Sequence, residues 1–82
     1  MVISYDAYRT FYTVAKLGSF TRAANALMSS QPNLTRTIRN LEAVLGCTLF
    51  VRSNRGVSLT PEGEKLFARV SVACEQIQAG EE

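Results

Sequence analysis

The chain has 82 residues, 46% of them apolar, and a net charge of +2, which confines it to one domain near the lower limit for a self-supporting core. Two distant cysteines (Cys47 and Cys74), no histidine and a single aspartate argue against a disulfide framework, a metal centre or acid–base catalysis. Charge is unevenly divided: residues 1–60 carry seven bases and two acids, residues 61–82 two bases and five acids, which suits a part that meets a polyanion joined to one that does not.

Tyr5, Tyr8, Phe11, Tyr12 and Ala15 recur at helical spacing with Asp6, Arg9, Thr13 and Lys16 between them, predicting an amphipathic helix over 5–17 that Gly18 ends. Ser19 or Thr21 then caps a second helix over 20–28, in which the small Ala23 and Ala24 allow close helix approach. Ser30 caps a third helix over 31–45, with Pro32 in its first turn and Gly46 after its end. Leu34, Ile38, Leu41 and Leu45 form its apolar stripe. Its other face, Gln31, Asn33, Thr35, Arg36, Thr37, Arg39 and Asn40, carries no acid.

Residues 48–51 and 57–60 are short β-prone runs around a turn at Asn54, Arg55 and Gly56. They predict a hairpin packed on the helices, a wing with Arg52 at its base and Arg55 near its tip. Thr60 and Pro61 open a last helix, with Glu62 and Glu64 in the dipole-favoured first turn. Running to about residue 79, it is ~27 Å long, more than so small a core requires. Its stripe of Leu66, Val70, Ala73 and Ile77, flanked by Phe67 and Cys74, predicts self-association. The expected fold is therefore mainly α: a winged helix-turn-helix over 1–60 with a short β-hairpin wing, then a long C-terminal dimerisation helix over 61–82.

A short helix followed by a polar, basic one and an arginine-bearing hairpin is an arrangement that reads duplex DNA. The helix from residue 31 enters the major groove, where Gln31 and Asn33 suit adenine N6/N7 and the Arg36 fork suits guanine O6/N7. Thr35 meets a phosphate or a thymine methyl; Pro32 lies in the same first turn. Thr21 and Arg22 hold backbone phosphate and fix register. Arg52 contacts phosphate, and Arg55 probes the neighbouring minor groove. Arg39, late in the helix, either joins this face, is simply solvated or pairs with Glu42, and Arg52 has an intradomain ion pair as its alternative. Ser19, Ser29 and Ser30 have no histidine base and serve as caps, and no glycine-rich phosphate loop is present, so the chain reads as a binding module and not an enzyme.

Phe11, Ala15, Gly18-Ser19-Phe20-Thr21, Ala23-Ala24, Leu27, Ser30-Gln31-Pro32, Leu34-Thr35, Ile38, Leu41-Glu42, Leu45-Gly46, Leu49-Phe50, Arg52, Leu59-Thr60-Pro61 and Gly63 together give a pattern over nearly the whole chain. In it the chain resembles the N-terminal domain of LysR-type transcriptional regulators. The resemblance implies a winged helix-turn-helix whose fourth helix pairs antiparallel with a dimer mate. It also implies that Gln31, Pro32, Asn33, Thr35 and Arg36 face DNA and that Arg52 and Arg55 belong to the wing. Thr35 stands where serine is commoner, and Asn33 where a small residue is usual. Beyond this chain, the resemblance implies an effector domain that binds a small molecule, with no cofactor in the present domain. It further implies a tetrameric full-length protein on a promoter inverted repeat, and a cytoplasmic location without membrane contact. That location suits the cysteines, and the sequence opens with no basic stretch before a long apolar run.

Two other uses are compatible with the fold. A protein–protein assembly module accounts for the last helix but not for the acid-free third-helix face and the wing arginines. A nonspecific nucleic-acid binder needs more charge and a less varied polar face.

Overall fold

Serine caps and glycine stops divide the first half of the chain. A computed structural model describes the backbone of residues 4–81 and the side chains of residues 4–73. Helix α1 (Tyr5–Leu17) starts where Ser4 Oγ accepts the Ala7 N–H at 3.3 Å, and Gly18 ends it in the left-handed conformation. Helix α2 (Phe20–Ala26) is capped by Ser19, whose Oγ accepts the Arg22 N–H at 3.1 Å. Of the two candidate caps, then, it is Ser19 that serves. Helix α3 (Gln31–Leu45) is capped by Ser30 through the Asn33 N–H at 3.3 Å, and Gly46 closes it at φ 72°.

Helix α2 is shorter than its sequence suggests. It stops at Ala26 because Met28 adopts a left-handed φ of 54° and the Ser29 N–H turns back onto the Ala24 carbonyl at 2.8 Å. Glycine usually supplies this conformation, so the stop has no signal in composition.

Strands β1 (Phe50–Ser53) and β2 (Gly56–Leu59) form one antiparallel hairpin, with Phe50 opposite Leu59 and Ser53 opposite Gly56. Asn54 and Arg55 make the two-residue turn. The hairpin begins two residues later on its first strand than the β-prone run predicts, since Thr48 and Leu49 serve the junction with the last helix. Helix α4 (Pro61–Glu81) follows Thr60, whose Oγ1 accepts the Gly63 N–H at 3.0 Å.

The core is Phe11, Val14, Phe20, Ala23, Ala24, Leu34, Ile38, Leu41, Leu49, Phe50 and Val70, with Tyr12 at its edge. Burial of each large member stabilises the fold by about 1.5–3 kcal/mol. Ala23 and Ala24 are both buried, as close approach of α2 requires. Phe11 and Phe50 pack with ring centroids 5.3 Å apart, tying α1 to the wing.

The wing is tied by its backbone as well. The Val57 N–H donates to the Gly18 carbonyl at 3.1 Å, and a Cβ at Gly56 would come within 2.7 Å of that oxygen. Glycine at 56, at φ 113°, therefore meets both a conformational and a steric demand. At the start of α4 the Thr60 N–H donates to the Leu49 carbonyl at 3.0 Å, and the Thr60 hydroxyl donates to the Thr48 carbonyl at 2.6 Å. Gly63 is buried against the same Leu49 carbonyl, leaving no room for a side chain.

Candidate nucleic-acid interface

The apolar stripe of α3 fixes which of its side chains look outward. Leu34, Ile38 and Leu41 are buried, so Gln31, Pro32, Asn33, Arg36, Arg39 and Asn40 are exposed and Thr35 half-exposed. Pro32, Thr35, Arg36, Arg39 and Asn40 border one shallow depression along the helix. The acid of this helix, Glu42, is turned inward: its Oε2 accepts the Leu49 N–H at 2.7 Å and so anchors the approach to β1. That bond, not a pair with Arg39, is the role the structure gives Glu42.

Two side-chain hydrogen bonds knit this face to neighbouring elements. Gln31 Nε2 donates to Thr21 Oγ1 at 2.9 Å, joining the first turn of α3 to α2. Arg52 Nη2 donates to Thr35 Oγ1 at 3.2 Å, joining the wing to α3. The Arg52 guanidinium also lies over the ring of Phe20, its carbon 4.2 Å from the centroid. Arg52 thus sits against an aromatic face and a hydroxyl. Phe20, Phe50, Thr35, Arg39 and Arg52 line a cleft of ≈ 210 Å³ between α3 and the wing.

The predicted DNA-facing residues are brought together only in part: Pro32, Thr35, Arg36 and Arg39 share one depression, whereas Asn33 borders another with Asp6, Arg9 and Thr37. Thr21, Gln31, Thr35 and Arg52 are linked as described; Pro32, Asn33, Arg36 and Arg39 extend the α3 surface; Arg22 is exposed near the start of α2. Arg55 stands in the exposed hairpin turn, with its N–H on Ser53 Oγ at 3.3 Å. Sequence reasoning missed two contributors. Phe20 is visible there only as an apolar residue after a cap, and nothing local marks it as a platform for a residue in the wing. Glu42 carried a signal, as the sole acid of an otherwise acid-free helix.

The residues predicted to pair on α4 divide. Leu66, Val70 and Ala73 line an open apolar groove of ≈ 430 Å³ with Tyr5, Tyr8 and Leu45. Val70 is at the same time buried in the domain's own core. Phe67 points to the other side, stacked on Tyr12 at 5.5 Å and 10° and edge-on to Phe11 at 6.5 Å. Its place is in the aromatic packing of α1 on α4. Cys74 and Ile77 lie within the α4 backbone, with side chains outside the described set. Cys47 is a half-buried free thiol. Among the described residues, no helix is long and apolar enough to cross a membrane.

Known proteins are similar in sequence and in arrangement. The family described as bacterial regulatory helix-turn-helix protein, lysR family, matches residues 5–64. The transcriptional regulator AbaB of Streptomyces antibioticus is 52% identical over 63 residues, covering 77% of this chain and 21% of AbaB. BbuR of Bordetella bronchiseptica is 52% identical over 64 residues, covering 78% of this chain and 20% of BbuR. The chain thus spans about a fifth of the length of these relatives. The DNA-binding domain of BenM, solved on a benA DNA site, superposes with a TM-score of 0.84 at 35% identity, over 96% of this chain and 90% of that one. That of CbnR, solved with DNA, gives 0.84 at 33% identity, over 95% and 90%. This chain belongs to the LysR family of bacterial helix-turn-helix regulatory proteins, and its α2–α3 pair with the β1–β2 wing is the family's winged DNA-binding domain.

Proposed function

We propose that this chain binds duplex DNA sequence-specifically as the DNA-binding part of a bacterial transcription regulator, with α3 in the major groove and the wing against the adjacent backbone and minor groove. The observation that carries this reading is the acid-free outer face of α3, tied to α2 through Thr21 and to the wing through Arg52. Side chains held before binding lose less freedom on binding, which favours specific readout over loose electrostatic attraction. Gln31, Asn33 and Arg36 read base edges from the first turns of α3, with Pro32 beside them; Thr35 meets a base edge or a phosphate, while Thr21, Arg22, Arg39 and Arg52 hold phosphate. Arg55 enters the minor groove. The work is binding, without catalysis.

The second partner is another copy of the chain. The apolar groove bordered by Leu66, Val70 and Ala73 lies on a helix of 21 residues, and its cover by a second α4 builds the two-fold reader that an inverted repeat requires. In the full-length protein we assign tetramerisation and the binding of a small-molecule effector to the part outside this chain, the present domain needing no cofactor. The cytoplasm, at promoter DNA, is the proposed location.

Selection of duplexes from a random pool tests the reading. Enrichment of a two-fold symmetric motif with half-sites about one helical turn or more apart is expected. Recovery of unenriched DNA by a folded protein sinks it in favour of backbone or protein binding. Sedimentation equilibrium tests the dimer: a monomer at ~100 μM, in the concentration range where weak self-association of such a helix is visible, refutes it for this chain.

A further inference from the structure

A guanidinium only donates, so the 3.2 Å bond between Arg52 and Thr35 fixes which partner accepts. The Thr35 oxygen takes an N–H from Arg52, and its own proton is directed elsewhere. Two other helical threonines behave differently. Thr13 Oγ1 donates to the Arg9 carbonyl at 2.8 Å and Thr37 Oγ1 to the Asn33 carbonyl at 2.9 Å, each returning its proton to its own helix. Among the described residues Thr35 makes no such bond, so its O–H is left to donate outward from the face of α3.

Arg52 is held for this task. Its guanidinium carbon lies 4.2 Å from the centroid of the Phe20 ring, and the buried Phe20 is braced edge-on by Phe50 at 5.9 Å. A hydroxyl that accepts a hydrogen bond from a cation is polarised and becomes a stronger donor. We infer that Arg52, positioned by Phe20, occupies one of the two Thr35 lone pairs and strengthens its O–H as a donor, biasing Thr35 towards an acceptor atom on DNA over an amino group. Acceptors of this kind are a phosphate oxygen, purine N7, guanine O6 and thymine O4; the disfavoured group is the amino edge of cytosine or adenine. The inference rests on the DNA-reading role proposed above and adds a polarity to one of its contacts. It also makes Arg52 more than a phosphate clamp, since its charge alone would not set the direction of a neighbouring hydroxyl.

The test is a double-mutant cycle, measured by fluorescence anisotropy on the duplex selected by the wild-type chain. Thr35→Val keeps the shape and removes the hydroxyl, and Arg52→Ala removes the partner; each is expected to weaken binding about tenfold. The double variant is expected to lose about 20- to 30-fold, because the hydroxyl contributes less without Arg52. A loss of about a hundredfold, the product of the singles, overturns the inference. Thr35→Ser should restore affinity to within about threefold, since it returns the hydroxyl.

Repeated selection separates the two sources of the acceptor. If it is a base edge, Thr35→Val, Arg52→Ala and Arg52→Lys all relax the same base pair, and Arg52→Lys does so with the salt dependence retained. If it is a phosphate, the motif is unchanged and a neutral methylphosphonate at one linkage removes the Thr35 effect. Relaxation at different positions overturns the coupling. In the free protein, NMR should find the Arg52 side-chain resonances shifted by the Phe20 ring and released in Phe20→Leu; unshifted wild-type resonances remove Phe20 from the account. A wild-type selection without a motif overturns the DNA reading and this inference together, whereas a clear motif with independent losses overturns the inference alone.

Discussion

The outer face of α3 and the junction where the wing meets α1 and α4 are built on opposite terms. On the face, side chains are exposed and held by hydrogen bonds between side chains, Gln31 to Thr21 and Arg52 to Thr35. At the junction, backbone meets backbone: Val57 on the Gly18 carbonyl, Thr60 on the Leu49 carbonyl, with glycine at 56 and 63 where a side chain would collide. A substitution on the face changes what the surface offers and leaves the fold intact. At the junction it changes whether the elements can meet at all. The proposed reading surface and the junction that holds the fold thereby rest on different residues within a very small domain.

The largest test of this contrast is Gly63→Ala. In an exposed helix, alanine for glycine stabilises by about 1 kcal/mol. Here the new methyl meets the Leu49 carbonyl, and a net destabilisation of about 3 kcal/mol is expected by urea denaturation. A gain in stability would show that the junction yields readily and would erase the distinction. Next comes Arg36→Ala, exposed on the face. It should weaken binding to the selected duplex by ~1–3 kcal/mol and leave thermal stability within about 0.5 kcal/mol. Equal losses on selected and random DNA would reduce Arg36 to a phosphate contact.

Glu42→Gln sharpens the boundary between the regions, since the residue belongs to α3 but serves the approach to β1 through Leu49. Replacing a charge-assisted bond by a neutral one should cost about 1 kcal/mol of stability and leave the selected motif unchanged. An altered motif would return Glu42 to the reading face. The smallest effect runs the other way. Met28 is 94% exposed at φ 54°, so Met28→Gly should relieve backbone strain and raise stability by ~0.5–1 kcal/mol in the same assay. A loss would mean that the Met28 side chain makes a contact that outweighs its backbone strain.

The parts of this architecture that depend on local chemistry were legible in the sequence. Ser19 was one of two possible caps, Ser30 was the expected one, and Gly18 and Gly46 ended helices where their left-handed backbone allowed. The α3 face followed from the spacing of Leu34, Ile38 and Leu41. What escaped depends on contacts between distant positions. Met28 is the exception: it ends α2 without being glycine, its left-handed turn closed by the Ser29 N–H on the Ala24 carbonyl. Phe20 and Arg52 lie 32 positions apart, and no periodicity relates a helix start to a strand. Phe67 fits the predicted seam of α4 by spacing but turns to Tyr12, since a helix with apolar residues on more than one side does not declare which of them faces inward.

The carbonyl of Gly18 has a consequence for the order of assembly. Helices α1 to α3 can each begin from neighbours along the chain, whereas the wing finds its backbone acceptor 39 residues earlier, at Val57 on Gly18. Closing so long a loop is entropically unfavourable until the helices have already brought their ends together. The Val57 amide is therefore a natural clock for the completion of folding. In pulsed hydrogen exchange it should gain protection after the amides of α1, and the moment at which it does so marks the point where three ordinary helices acquire a wing.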